Sequence, residues 1–133
     1  MDRLFLDANV LSSAAFRPSA GLLRLWELPD CVLYTSRYAM GEARVNLAEA
    51  PQREQLEKLC RPIHLVDATS AGLPPGTLLP EKDRPILTAA IEANATHLLT
   101  GDIHDFGRLL GKIIAGVLIQ LPGEYLKERK QLE

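Results

Sequence analysis

The feature that most constrains this chain is a short apolar run stopped at once by an acid, and it occurs twice. Leu4-Phe5-Leu6 runs into Asp7-Ala8-Asn9, and His97-Leu98-Leu99 runs into Thr100-Gly101-Asp102. Short apolar runs bounded by polar residues fit strands buried on both faces, the kind found in parallel sheets. Asp7 and Asp102 then stand at the carboxyl ends of their strands, where ligands bind in open α/β sheets. If the two strands are neighbours, the two carboxylates meet.

The rest of the chain alternates in the same way. Cys31-Val32-Leu33-Tyr34, Ile63-His64-Leu65-Val66 and Val117-Leu118-Ile119 read as further strands. Thr35 or Ser36 caps a helix that carries Glu42 and runs to about Ala48, with Pro51 ending it. Gln52 to Leu59 forms a polar helix with Leu56 and Leu59 on one face. Asp83 caps a helix with Pro85 in its first turn, and Ile86, Leu87, Ala89, Ala90, Ile91 and Ala93 make that helix apolar nearly all round. Asp67 to Pro80 holds Gly72, Pro74, Pro75, Gly76 and Pro80 and reads as the main loop. This order predicts a single α/β/α three-layer domain over residues 1–133, with a central, mostly parallel sheet of about five strands.

Composition narrows the function. With 133 residues, 47% apolar and 24% charged, the chain has the proportions of one soluble globular domain. Its longest apolar stretch, Ile113 to Ile119, falls far short of the ~18 residues that cross a bilayer. Asp2 and Arg3 open it without a secretory pattern, so no membrane association and a cytoplasmic location are expected. Cys31 and Cys60 lack metal-ligand spacing and read as small apolar residues. A net charge of −2 counts against a tight, non-catalytic nucleic-acid binder. It does not count against a nuclease whose own acids lower the average.

A carboxylate placed after a buried strand is costly unless a cation or donors compensate it. Asp7 and Asp102 repel each other unless a divalent metal intervenes, and hard oxygen ligands suit magnesium or manganese better than zinc. Glu42, mid-helix among Ala39, Ala43 and Leu47, and Asp83, opening the most apolar helix, can both reach the same sheet end. Taken singly, Asp83 reads equally as a helix cap, Glu42 as a solvated charge and Asp102 as a turn residue. The joint pattern is more specific than any member.

These segments carry a family resemblance. Leu4-Phe5-Leu6-Asp7-Ala8-Asn9-Val10-Leu11 resembles the opening motif of PIN domains. Met40-Gly41-Glu42-Ala43-Arg44, Asp83-Arg84-Pro85-Ile86-Leu87-Thr88-Ala89-Ala90 and Leu99-Thr100-Gly101-Asp102-Ile103-His104-Asp105-Phe106 match the family's later acidic motifs in order and spacing. Val117 to Leu126 resembles its closing strand and helix, so the likeness spans residues 2 to about 127.

The resemblance implies a metal-dependent endoribonuclease that uses Mg2+ or Mn2+ to hydrolyse RNA phosphodiester bonds. Asp7, Glu42, Asp83 and Asp102 take the catalytic and metal-site roles, Asp105 is an additional metal-site acid, and Asn9 and Thr100 support the pocket. Many small members are VapC-like toxins of toxin–antitoxin pairs and dimerise. An antitoxin partner and a homodimer are therefore expected, the latter through Leu22, Leu23, Leu25 and Trp26 if these are not buried within the subunit. The chemistry is in-line attack of water on phosphorus, with up to two ions about 3.5–4 Å apart. Arg37, Arg44, Arg84 and Arg108 are candidate phosphate contacts, and His104 is expected to be exposed and inert rather than a proton donor.

Three other readings compete. A receiver domain wants paired acids after its first strand and a Lys after its last, and a dehalogenase-type phosphatase wants a second Asp where Asn9 stands. The third is a non-catalytic PIN-fold module that binds RNA or protein, but such a module has no need to hold four repelling acids together.

Overall fold

The computed structural model describes residues 1–17, 21–69 and 72–132. Its elements follow in the order β1 (Asp2–Leu6), α1 (Ala8–Phe16), α2 (Arg24–Glu27), β2 (Cys31–Thr35), α3 (Arg37–Val45), α4 (Ala50–Cys60) and β3 (His64–Leu65). A 3-10 turn (Glu81–Asp83) then leads into α5 (Arg84–Glu92), β4 (His97–Leu99), α6 (Ile103–Phe106), β5 (Ile113–Ile114), β6 (Val117–Gln120) and α7 (Pro122–Leu132).

The strands form one sheet in the order β3-β2-β1-β4-β6-β5. All pairings are parallel except β5 with β6. β1 lies at the centre and pairs with β4 in the register Leu4↔His97 to Leu6↔Leu99, so the two acid-stopped strands are neighbours. Side-chain alternation sends Leu4, Leu6 and Leu99 into one core with residues of α1, α4 and α7, while Phe5 and Leu98 enter a second core under α5. Leu4, Phe5 and Leu6 are fully buried, each contributing about 1.5–3 kcal/mol. Two cores on opposite faces of one sheet make the expected three layers.

Several local expectations are corrected. The sheet has six strands: the apolar run at 113–119 folds back on itself through Ala115 (φ 49°) and Gly116 (φ 87°). Two consecutive left-handed residues suit the twist of a tight hairpin, which makes β5 antiparallel. Asp7 is followed directly by a helix that the sequence did not mark, and its carboxylate caps α1 by accepting from the Ala8 N–H at 2.7 Å. The helix carrying Glu42 stops at Val45, not Ala48, and Pro51 lies in the first turn of α4 instead of ending its predecessor. A missing N–H is harmless there, because that turn's donors have no helical partner.

Asp83 does not cap α5. Its backbone is helical (φ −98°, ψ −10°), because the 3-10 turn passes into α5 without the extended residue a capping side chain requires. Within the 67–80 loop, residues 70–71 lie outside the described residues, and the others form no helix or strand. Leu25 is buried, and Leu22, Leu23 and Trp26 pack partly buried against the core, with the Trp26 indole N–H donating to the Leu59 carbonyl at 2.8 Å. Cys60 is buried and Cys31 half-buried, both as free thiols. Among the described residues, no helix is long and apolar enough to cross a membrane.

Candidate active site

The carboxyl ends of β1 and β4 open into a cleft of about 800 Å³, lined among others by Asp7, Asn9, Glu42, Asp83 and Asp102. Parallel pairing of β1 with β4 brings the first and last of these acids together, each on the residue or loop directly after its strand. α3 supplies Glu42 to the cleft, and the 3-10 turn supplies Asp83.

Asp7 is held by neutral donors. Its Oδ1 accepts from the Ala8 N–H, and its Oδ2 accepts from the Thr100 hydroxyl at 2.8 Å and from the Asn9 amide at 3.4 Å. Asn9 reaches across to β4's end, where its Oδ1 accepts from the Gly101 N–H at 2.8 Å. The Thr100 hydroxyl also accepts from the Asp102 N–H at 3.1 Å. A Cβ on Gly101 would lie 3.3 Å from Asn9 Oδ1, so this crossing needs a glycine or a small displacement. Asn9 and Thr100 thus fasten the two strand ends and orient Asp7 without neutralising it.

The acids act on one another's charge. Burial, reinforced by the Asp102 carboxylate, raises the Asp7 pKa despite its donors. Burial and then the charge of Asp7 raise that of Glu42. Asp83 is raised to about 7, first by burial and then by its contact with Asp105. Oxygens of Asp83, Asp102 and Asp105 lie within 4.8 Å of one another, with Asp7 and Glu42 lining the cleft beside this trio. Asp83 is 6% exposed, and its Oδ2 is buried without a hydrogen-bond partner. A buried carboxylate oxygen with nothing to accept from is costly, and a proton or a cation relieves it. An all-oxygen donor set with an orphaned buried oxygen fits a hard divalent ion.

Asp105 is differently placed. Its Oδ2 pairs with the Lys82 ammonium at 3.0 Å and its Oδ1 with His104 Nδ1 at 2.9 Å, contacts that hold its carboxyl far below the usual range. Asp102 caps α6, a helix the sequence did not reveal, by accepting from the Asp105 N–H at 2.9 Å. The His104 side chain is 96% exposed, as expected, and its Nδ1 is the atom paired with Asp105. Of the four candidate phosphate-binding arginines, Arg37 lines the cleft, and it is tied to Asp67 at 3.0 Å.

Sequence reasoning overlooked two residues that line the cleft, Tyr38 and Lys82. The Tyr38 hydroxyl donates to the Lys82 carbonyl at 2.5 Å, joining α3 to the 3-10 turn across 44 positions of chain. Tyr38 precedes Glu42 by one helical turn, and that spacing was the available signal.

Comparison with known proteins agrees with this fold. A family model described as PIN domain matches residues 3–104. Among solved structures, the chain is similar to a chain of VapBC2 from Rickettsia felis bound to a DNA fragment from their promoter, with TM-score 0.66 and 16% identity over 90% of this chain and 98% of that one. No curated protein sequence matches.

Proposed function

Because the chain belongs to the PIN-domain family, we propose that it is a metal-dependent endoribonuclease, with Asp7, Glu42, Asp83 and Asp102 as its working acids. The observation that carries this reading is the orphaned, buried Asp83 Oδ2 beside Asp102 and Asp105. Mg2+ or Mn2+ would be held by Asp7, Glu42, Asp83 and Asp102, with Asp105 as an additional acid. Bound there, such an ion supplies Lewis-acid polarisation of the phosphate and acidifies a water molecule.

The chain's own groups do the rest. Asp7 is kept in one orientation by Thr100, Asn9 and the Ala8 N–H, so its remaining lone pairs would face a bound cation in a fixed direction. Glu42, half-buried with a raised pKa, is suited to orient the attacking water or to take its proton at the carboxylate. Asp105 would share its oxygens between the site and its partners Lys82 and His104, each of which pairs with one of them.

The likeness to VapBC2 supports a further part of the reading, that the chain is a VapC-like toxin with an antitoxin partner. A homodimer and a cytoplasmic location belong to the same reading. The test is RNA cleavage after EDTA treatment with each metal restored in turn, and with Asp102→Asn as a control for contaminating ribonuclease. Magnesium and manganese should restore activity, calcium should not, and zinc should serve poorly because the site offers neither Cys nor His. Full activity in EDTA that disappears in a His104 variant would mean a metal-free mechanism and would overturn the reading.

A further inference from the structure

We propose that the Tyr38 ring is a stacking platform for one unpaired base of the RNA strand, an inference that rests on the ribonuclease reading above. RNA is a polyanion, the chain carries a net charge of −2, and the cleft is lined by Asp7, Glu42, Asp83 and Asp102. The two cationic side chains on its walls are engaged already, Arg37 with Asp67 and Lys82 with Asp105. Phosphate contacts ordinarily dominate nucleic-acid affinity, and the protein's own side chains on these walls offer few of them. A metal ion among the acids would hold the phosphate at the reacting bond, and an uncharged contact would hold the strand beside it.

Tyr38 is placed to supply it. Among the described residues it is the only aromatic side chain lining the cleft, and it is 41% exposed, whereas Tyr34, Tyr125, Phe5 and Phe106 are buried. It stands one helical turn from Glu42, so a base resting on it lies close to the acids. The hydroxyl bond to the Lys82 carbonyl fixes the ring before any ligand arrives. A ring already ordered loses little freedom on binding, which favours affinity. Stacking also selects the form of the substrate: a base must be splayed out of its helix to lie on the ring, as in single strands and loops. Purines, with the larger faces, gain more than pyrimidines.

The competing role for Tyr38 is that of a strut holding the turn that presents Asp83, and two variants separate the roles. Tyr38→Phe keeps the ring and removes the strut's hydrogen bond, whereas Tyr38→Leu removes the ring as well. Binding of fluorescein-labelled oligoadenylate, oligouridylate and an RNA duplex is measured by anisotropy with the full chain, using calcium in place of magnesium so that the strand stays intact. Tyr38→Leu should weaken oligoadenylate binding by about 5- to 20-fold, oligouridylate less, and the duplex not at all. Tyr38→Phe, which keeps the ring but releases it, should lose clearly less than Tyr38→Leu on oligoadenylate, about threefold, and nothing on the duplex. Equal losses in both variants on every RNA, or no loss in Tyr38→Leu, would overturn the stacking role and leave the ribonuclease reading standing. If the unaltered protein bound none of the three and also failed to cleave RNA with magnesium, both would fall together.

Discussion

The two ends of β1 carry the same residue type and treat it in opposite ways. At the amino end, Asp2 accepts from the Tyr125 hydroxyl at 2.5 Å, and Arg129 of the same closing helix stands 3.9 Å away. Cys31 lies 3.4 Å from that hydroxyl, and the His97 ring packs edge-on against Tyr125 at 4.8 Å. At the carboxyl end, Asp7 has three donors and no cation, and three more acids share its cleft. Stability alone would produce the first arrangement at both ends. The second concentrates charge that the fold does not compensate, and it is the arrangement the proposed metal site would use.

The comparison breaks most visibly if the ends are altered one at a time. Asp7→Asn should leave the fold intact and lower RNA cleavage by more than about a hundredfold, since even the partners of metal ligands are commonly worth 10–100-fold. Tyr125→Phe should do the reverse, losing about 1–2 kcal/mol of stability in thermal melts and keeping full cleavage below the melting temperature. An Asp7→Asn protein as active as the unaltered one would reverse the assignment of the two ends.

A smaller effect sharpens the same contrast through pH. The folded Asp83 is raised to about 7, above the ~3.9 of an unfolded aspartate. The metal-free fold therefore holds a proton that the unfolded chain releases, and this contribution is full below about pH 4 and lost as pH rises through about 7. Melting temperature in EDTA should fall across that window, and the Asp83→Asn variant should flatten the fall. With magnesium present the direction should reverse, because the ion displaces the proton and stabilises the fold more as pH increases.

How much of this was legible in the sequence depended on whether the signal was local. β1 and β4 declared themselves as apolar runs, and their neighbouring placement carried Asp7 and Asp102 to one cleft. The role of Asp83 was legible only in part, since the sequence marks the start of an apolar helix but not whether the acid faces its own backbone or the cleft. That choice is made by the 3-10 turn before it. The β5–β6 hairpin escaped notice because Ala115 gives no turn signal of its own and takes its left-handed conformation beside Gly116. Tyr38 and Lys82 meet only after the fold has closed, and no spacing rule links residues 44 positions apart.

The most direct measurement of the central claim is calorimetric titration of Mn2+ into the metal-free protein, its Asp83→Asn variant and an Asp2→Asn variant at the opposite end of β1. The account predicts binding by the unaltered protein and by Asp2→Asn with the same affinity, and a loss of at least about tenfold in Asp83→Asn. Equal Mn2+ affinity in Asp83→Asn and the unaltered protein would contradict it, because the orphaned carboxylate would then not be what the ion binds.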